Sequence, residues 1–157
     1  MINIAHKVAG TASMRLCRAL LVLGIVVGIP SLWQTLAFSW DATFQAPALR
    51  YGPSHTNYHA FREFTLALGA ISVMLWVMFQ PTARRTRELR AAMLMAAVFY
   101  YGGWWLPWLL LGLHAPTVAS ELVHVASSSL SLSGIGLAWR QFGYDTTSPQ
   151  LAQGTRW

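Results

Sequence analysis

Residues 18–38 read RALLVLGIVVGIPSLWQTLAF, and no charged side chain follows Arg18 within this stretch. A helix crosses a hydrocarbon layer of roughly 30 Å with about 20 apolar residues, so the stretch is long enough to span a membrane. It is longer than the roughly 7–15 apolar residues of a signal-peptide core, and no small-residue cleavage pattern follows it. We therefore predict an uncleaved first membrane span that contains Pro30.

Three further apolar stretches follow at residues 57–79, 91–113 and 117–139. Pro81 ends the first of these three, because proline cannot continue the hydrogen bonds of a helix. An outer loop at 39–56 and a short basic turn at 84–90 separate the spans, and a polar tail follows at 140–157. This pattern predicts an all-α integral membrane protein with one transmembrane domain over residues 1–157, folded as a four-helix bundle.

The composition and the distribution of charge support a membrane location. Of the 157 residues, 55% are hydrophobic and only 10% are charged, against about 25% charged in soluble domains. Nine of the eleven Lys and Arg residues fall near the termini or in the 84–90 turn, whereas only Arg50 lies in the outer loop. Such a bias marks the cytoplasmic side. We predict a multi-pass protein of the cell membrane with both termini cytoplasmic, whose partner is the lipid bilayer and not nucleic acid.

The few polar groups of the spans lie at one level, nearer the outer face. Glu63 is about six residues inside the second span, hence roughly 9 Å below its outer end. Glu121 and His124 lie at a comparable depth in the fourth span, and Trp104 and Trp105 of the third approach the same layer. An ionisable group inside a membrane costs roughly 2.5–3.5 kcal/mol on insertion scales, so such groups usually face inward and find partners.

Helical spacing places these groups on shared faces. His59 and Glu63 are i, i+4 neighbours, and Arg62 lies beside them. A stripe of small and polar residues on the fourth span comprises Glu121, His124, Ser128 and Ser131. Two interpretations are open: Arg62 forms a structural salt bridge to Glu121, or the whole cluster forms a site. The serines themselves are best explained by close helix packing, which small residues favour in lipid.

Acid–base chemistry on a lipophilic molecule is one function that this cluster can support. A carboxyl group in a low-dielectric site has a raised pKa and can act as a general acid near neutral pH. Glu63 and Glu121 are the candidate acids, and His59 and His124 are candidates to orient them or relay protons. The candidate ligand-binding residues are Arg62, Tyr101, Trp104 and Trp105. The ligand would be a sterol, a quinone or an isoprenoid.

Two other functions remain open. Glu121-x-x-His124 places two metal ligands on one helical face, as in di-iron bundles, which would make the protein a metal-dependent oxidoreductase. A dinuclear centre normally needs more carboxylates, and Arg62 repels a cation, so we assign neither metal nor cofactor. The other function is that of a non-catalytic accessory subunit of a larger membrane complex. As partners, both a homo-oligomer and such a complex remain open.

The second span resembles a known pattern. Its residues 59–69 read HAFREFTLALG, and this is similar to small four-helix membrane proteins of the DoxX-like type, in which a charged residue opens the second span before a Leu-x-Leu-Gly run. The outer loop after the first span and the basic turn after the second also resemble that group. The resemblance covers roughly residues 16–140 and implies a four-helix membrane fold.

A second resemblance concerns chemistry. Membrane-embedded sterol isomerases of the EXPERA type carry a His-x-x-x-Glu pair on one span, a further Glu on another and a Trp nearby. The similar residues here are His59, Glu63 and Glu121, with Trp104 or Trp105 as the aromatic group. The resemblance implies isomerase-like conversion of a lipophilic substrate. This chain differs from that pattern in its number of spans and in Arg62, which stands beside the acid.

Overall fold

The computed structural model of the chain describes residues 2–41 and 55–142, with all side chains in these ranges except those of residues 2–13, His55 and Arg140. The regular structure of the described part is entirely helical. The four α-helices are α1 (Ile2–Ala37), α2 (His55–Met78), α3 (Arg87–Leu111) and α4 (Val118–Ala138). Two short 3-10 helices, Thr82–Arg84 and Trp139–Gln141, follow α2 and α4. The all-α prediction is confirmed.

Helices α2, α3 and α4 match the predicted apolar stretches to within a few residues, and α1 extends further toward the N-terminus than the predicted first span. Helix α1 begins at Ile2, well before the predicted first span at residues 18–38. The basic segment 84–90 is not one turn, because α3 already begins at Arg87. Thr86 caps that helix by accepting a hydrogen bond from Leu89 N–H at 3.3 Å. Residues 42–54 of the outer loop and 143–157 of the tail lie outside the described residues.

Local capping residues account for the connection between α3 and α4. Gly112 adopts a left-handed conformation with φ of 65°, and its N–H donates to the carbonyl of Trp108 at 3.0 Å. Glycine reaches this conformation without steric cost, so α3 ends there. Thr117 then opens α4 by accepting a hydrogen bond from Ser120 N–H at 3.1 Å.

Within the described ranges, three helices are long and apolar enough to cross a membrane: Met14–Ala37, Thr56–Met78 and Arg87–Leu111. Helix α4 has 21 residues but is not among the three. The polar residues of its inward stripe explain why, since Glu121, His124 and several serines lower the hydropathy of α4. These are the side chains that α4 turns toward its neighbours.

Helices α1 and α4 pack closely along a seam of small residues. A Cβ on Gly134 would lie 2.6 Å from the Cys17 carbonyl oxygen, and one on Gly24 would lie 2.7 Å from the carbonyl oxygen of Ser127. The Ser127 hydroxyl donates to the Gly24 carbonyl at 2.7 Å. Ser127, Ser128 and Ser131 are all buried. The predicted packing role of the serine stripe is therefore confirmed.

The core lies toward one end of the helices. Helix α1 packs against α2 and α4, α2 packs against α3, and α3 touches α4. The cluster of buried apolar side chains comprises Met14, Cys17, Leu21, Met74, Val77, Met78, Met93, Ala97, Tyr101, Ile135, Ala138 and Phe142. The other end, which carries Glu63 and Glu121, has few buried side chains, Asn57 and Ala60 among them.

Candidate functional site

His124 faces inward and joins three helices. Its Nε2 atom is hydrogen-bonded to the hydroxyl of Ser31 on α1 at 2.8 Å. Its ring stacks on Trp104 of α3, with centroids 4.4 Å apart and planes 17° from parallel. Both the ring face and one ring nitrogen of His124 therefore have partners, which fix its orientation.

Trp104 belongs to an aromatic cluster on α3. Its ring centroid lies 5.2 Å from that of Tyr100 and 5.3 Å from that of Tyr101, both within the range of favourable aromatic pairs. The far edge of the indole ring reaches α1, where it lies 3.5 Å from the position that a Cβ on Gly28 would take. Trp104 thus fills the space between α1, α3 and α4 at the level of His124.

Glu121 is half-buried and stabilises a loop. Its Oε2 atom accepts a hydrogen bond from the backbone N–H of Ala115 at 3.0 Å. This bond closes the connection between α3 and α4 over the first turn of α4, where a negative charge is also favoured by the helix dipole. No ion pair joins Glu121 to Arg62 within the part of the chain that the structure describes. The salt bridge considered from the sequence therefore does not form.

The polar row of α2 faces outward. His59, Arg62 and Glu63 are all exposed, and the His59 ring contacts the ring of Tyr58 with centroids 5.6 Å apart. Among the described residues, the side chains of Arg62 and Glu63 make neither a hydrogen bond nor an ion pair. The inward polar position of α2 is taken instead by Asn57, whose side-chain amide donates to the Phe38 carbonyl at 2.6 Å. The sequence interpretation did not single out Asn57.

Glu63 nevertheless borders a groove between α2 and α3. The groove has a volume of about 490 Å³ and is lined by Glu63, Leu66, Ala67, Ala70, Phe99, Tyr100, Gly103 and Trp104. Leu66 and Phe99 are 63% and 80% exposed, so the groove is open at the surface. Since α2 and α3 run antiparallel, Glu63 lies at the Trp104 end, and Ala70 lies at the Phe99 end. The result is an apolar groove with a carboxylate at one end.

The other predicted ligand-binding residues lie elsewhere. Tyr101 is 1% exposed and belongs to the core, and its hydroxyl has no hydrogen-bond partner among the described residues. Trp105 is half-buried, pairs with Trp108 at a centroid distance of 6.2 Å and does not line the groove. Arg62 does not line it either. Of the eight predicted site residues, Glu63 and Trp104 are brought to one groove, and His124 contacts the far side of Trp104.

Sequence reasoning missed most of the groove. On α2 its wall follows the positions of Glu63, Leu66, Ala67 and Ala70, which have i, i+3, i+4, i+7 spacing and therefore share one face. That spacing was readable from the sequence, as was the presence of small residues at two of its positions. The opposite wall was not readable, because Phe99 and Gly103 acquire a role only once α3 is placed against this face.

The arrangement of acids and histidines offers no metal centre in the described residues. No group of three His, Cys, Asp or Glu side chains comes together there. The pair of Glu121 and His124 faces inward, whereas the pair of His59 and Glu63 lies on the exposed face of another helix. The chemistry available at the groove is thus that of one carboxylate, one phenol and an indole ring.

Comparison of the chain with models of known protein families, with curated proteins and with solved structures gives no match.

Proposed function

We propose that this protein binds an amphiphilic, lipid-soluble molecule in the groove between α2 and α3, with the polar end of the molecule against Glu63. One observation carries the proposal: the Glu63 carboxylate has no hydrogen bond or ion pair to any described residue, yet it stands at the end of an open apolar groove. A carboxylate without a partner near a membrane is costly. A ligand that donates a hydrogen bond to it would offset that cost.

In this proposal the protein is a four-helix bundle in the cell membrane. All four helices cross the membrane, and both termini are cytoplasmic. The basic residues at one end of the helices support this orientation. At the other end, the exposed side chains of Trp33, Trp40 and Trp108 suit the membrane–water interface. Helix α4 crosses because its polar stripe is covered by α1. A reporter fused after Trp157 is expected to remain on the cytoplasmic side, and an external reporter would refute this orientation.

The shape of the groove suits a ligand with one polar end and a flat or slender apolar body. From Glu63 to Ala70 the α2 wall rises about 10 Å. Ala67, Ala70 and Gly103 leave the floor shallow, and Phe99 and Tyr100 offer ring faces. A sterol or an isoprenoid alcohol fits this chemistry because its hydroxyl can donate to a carboxylate. A quinone has only acceptor oxygens and would need a protonated Glu63.

Binding is better supported than conversion. The sterol isomerases that this chain resembles use two acids, but Glu121 binds the Ala115 N–H and does not line the groove. Any isomerase-like step would use Glu63 as the acid, with the hydroxyl of Tyr100 as the second proton-carrying group. The face of Trp104 would stabilise developing positive charge.

The proposal is tested with the protein purified in mild detergent. Mass spectrometry of co-purifying small molecules is expected to find a stoichiometric sterol or isoprenoid. Ala67→Phe should fill the groove, and the co-purifying ligand should then be lost. Glu63→Gln should weaken the binding of added cholesterol or farnesol about tenfold, the effect of losing one charged hydrogen bond.

Glu121→Gln is the matched control, because it removes an equal charge at a similar level but outside the groove. It is expected to leave ligand binding unchanged. Ligand content that persists in Ala67→Phe would rule out this groove. An empty protein that arrives with other polypeptides would favour the accessory subunit instead.

A further inference from the structure

Two arginines at the core end of the helices share one acceptor. Arg18 of α1 donates through Nε to the Met78 carbonyl at 3.2 Å and through a terminal nitrogen to the Gln80 carbonyl at 3.4 Å. Arg85, in the connection between α2 and α3, donates through Nε to that same Gln80 oxygen at 3.0 Å. The Arg18 terminal nitrogen and the Arg85 Nε atom thus both lie within 3.4 Å of the Gln80 carbonyl oxygen. Two positive charges are therefore held side by side.

Aromatic rings hold both guanidinium groups in place. Arg18 lies over the ring of Phe79, 4.9 Å from its centroid, and Arg85 lies 5.9 Å from the centroid of Phe142. Burial lowers the pKa of the Arg85 guanidinium, and the neighbouring Arg18 charge lowers it further. This pair is thus a preformed positive site rather than two mobile surface side chains.

The described part of the chain supplies too little negative charge for this pair. The carboxyl end of a helix carries about half a negative charge, which is less than the two cations gathered at the end of α2. In the described ranges no carboxylate forms an ion pair with either arginine. Among the described residues Arg85 forms a side-chain hydrogen bond through Nε alone, which leaves its two terminal nitrogens, with up to four N–H groups, for a ligand.

We propose that Arg18 and Arg85 form a binding site for a phosphate group, occupied in the membrane by the headgroup of an anionic phospholipid. The planar guanidinium fork matches the geometry of phosphate oxygens and binds them through two parallel hydrogen bonds. The position of the site at the basic end of the helices places it at the level of the cytoplasmic headgroups. This site is separate from the groove and does not depend on its ligand.

The experiment measures lipid binding to the full chain in an uncharged detergent by native mass spectrometry and thermal shift. Phosphatidylglycerol is expected to bind and stabilise the protein, whereas diacylglycerol, which lacks the phosphate, does neither. Arg85→Gln should weaken phosphatidylglycerol binding about tenfold or more, since it removes charged hydrogen bonds. Arg85→Lys keeps the charge without the fork and should cause a smaller loss. It also preserves the test if Arg85→Gln folds poorly.

Arg87→Gln is the matched control. Arg87 lies two residues after Arg85 and its side chain is exposed, so the change removes the same charge outside the proposed site. It should change the affinity less than twofold. Stabilisation by inorganic phosphate that is as strong as that by phosphatidylglycerol would keep the phosphate chemistry and assign the site to a soluble anion. Equal losses in Arg85→Gln and Arg87→Gln, or equal binding of phosphatidylglycerol and diacylglycerol, would overturn the proposal.

Discussion

Helices α2 and α4 carry the same kinds of polar residue, and the fold uses them in opposite ways. Each has one acid and one histidine a single turn apart at the sparsely packed end of the molecule. On α4, Glu121 and His124 turn inward, and both are hydrogen-bonded to neighbouring elements. On α2, His59 and Glu63 lie on the exposed face.

The opposite orientations of the two polar pairs follow from the residues that each helix buries along the rest of its length. Helix α4 must place Ser127, Ser131 and Gly134 against α1, and this seam fixes its rotation. Because Glu121 and His124 belong to the same stripe, they are turned inward with it. Helix α2 buries Asn57, Ala60 and Met74 instead, and its polar row is consequently turned outward. The acid and histidine are thus structural on α4, whereas on α2 the Glu63 side chain borders an open groove.

The largest expected effect comes from breaking the seam that fixes α4. In Gly134→Ala the new Cβ would meet the Cys17 carbonyl oxygen at 2.6 Å and the Leu21 nitrogen at 2.9 Å. Both are backbone atoms, which cannot move aside easily. We expect a loss of about 1–3 kcal/mol in the free energy of unfolding, measured by denaturation in detergent.

Gly136→Ala is the control for helix propensity, since a Cβ there would meet nothing within 4 Å. It is expected to be neutral or to stabilise the protein by up to about 1 kcal/mol. If the two alanine variants behaved alike, the seam would not be close-packed, and the rotation of α4 would need another cause.

The helices themselves were readable from the sequence. Apolar stretches of sufficient length, with Pro81 after the second, predicted all four to within a few residues except at the start of α1. The error at the start of α3 has a local cause. Four arginines between 84 and 90 suggested a short basic turn, but Thr86 caps a helix in the middle of that segment.

The site was only partly readable. Depth along a helix follows from its rise per residue, so Glu63 and Trp104 were correctly expected at one level. Rotation about the helix axis depends on the neighbouring helices, and a single sequence does not specify them. The partner of Glu121, a backbone N–H of Ala115, and the partner of His124, the Ser31 hydroxyl, come from that packing.

A smaller effect is expected at the inward histidine. A double-mutant cycle between Ser31→Ala and His124→Leu should give a coupling energy of about 0.6 kcal/mol and at most about 1.7, the range for hydrogen bonds between membrane helices. The control cycle pairs Thr35→Ala with His124→Leu. Thr35 lies one turn along α1, and its hydroxyl donates to the Ser31 carbonyl and not to His124. Equal coupling in the two cycles would mean that His124 does not bind Ser31.

The smallest effect is expected between Arg62 and Glu121, the pair whose composition most suggests a salt bridge. Glu121→Leu should cost about 1 kcal/mol because the Ala115 N–H loses its acceptor. Arg62→Leu should change stability by less than about 0.5 kcal/mol, as an exposed side chain does. Their coupling should be within about 0.5 kcal/mol of zero, the limit for independent sites.

A coupling well above that limit, with the double variant more stable than Glu121→Leu alone, would show that the two charges meet in the membrane. Arg62 would then have to turn toward α4, and α2 would have to rotate with it. That rotation would also carry Glu63 away from the groove lined by Leu66 and Ala67. The cycle therefore tests the outward orientation of α2, on which the proposed ligand site depends.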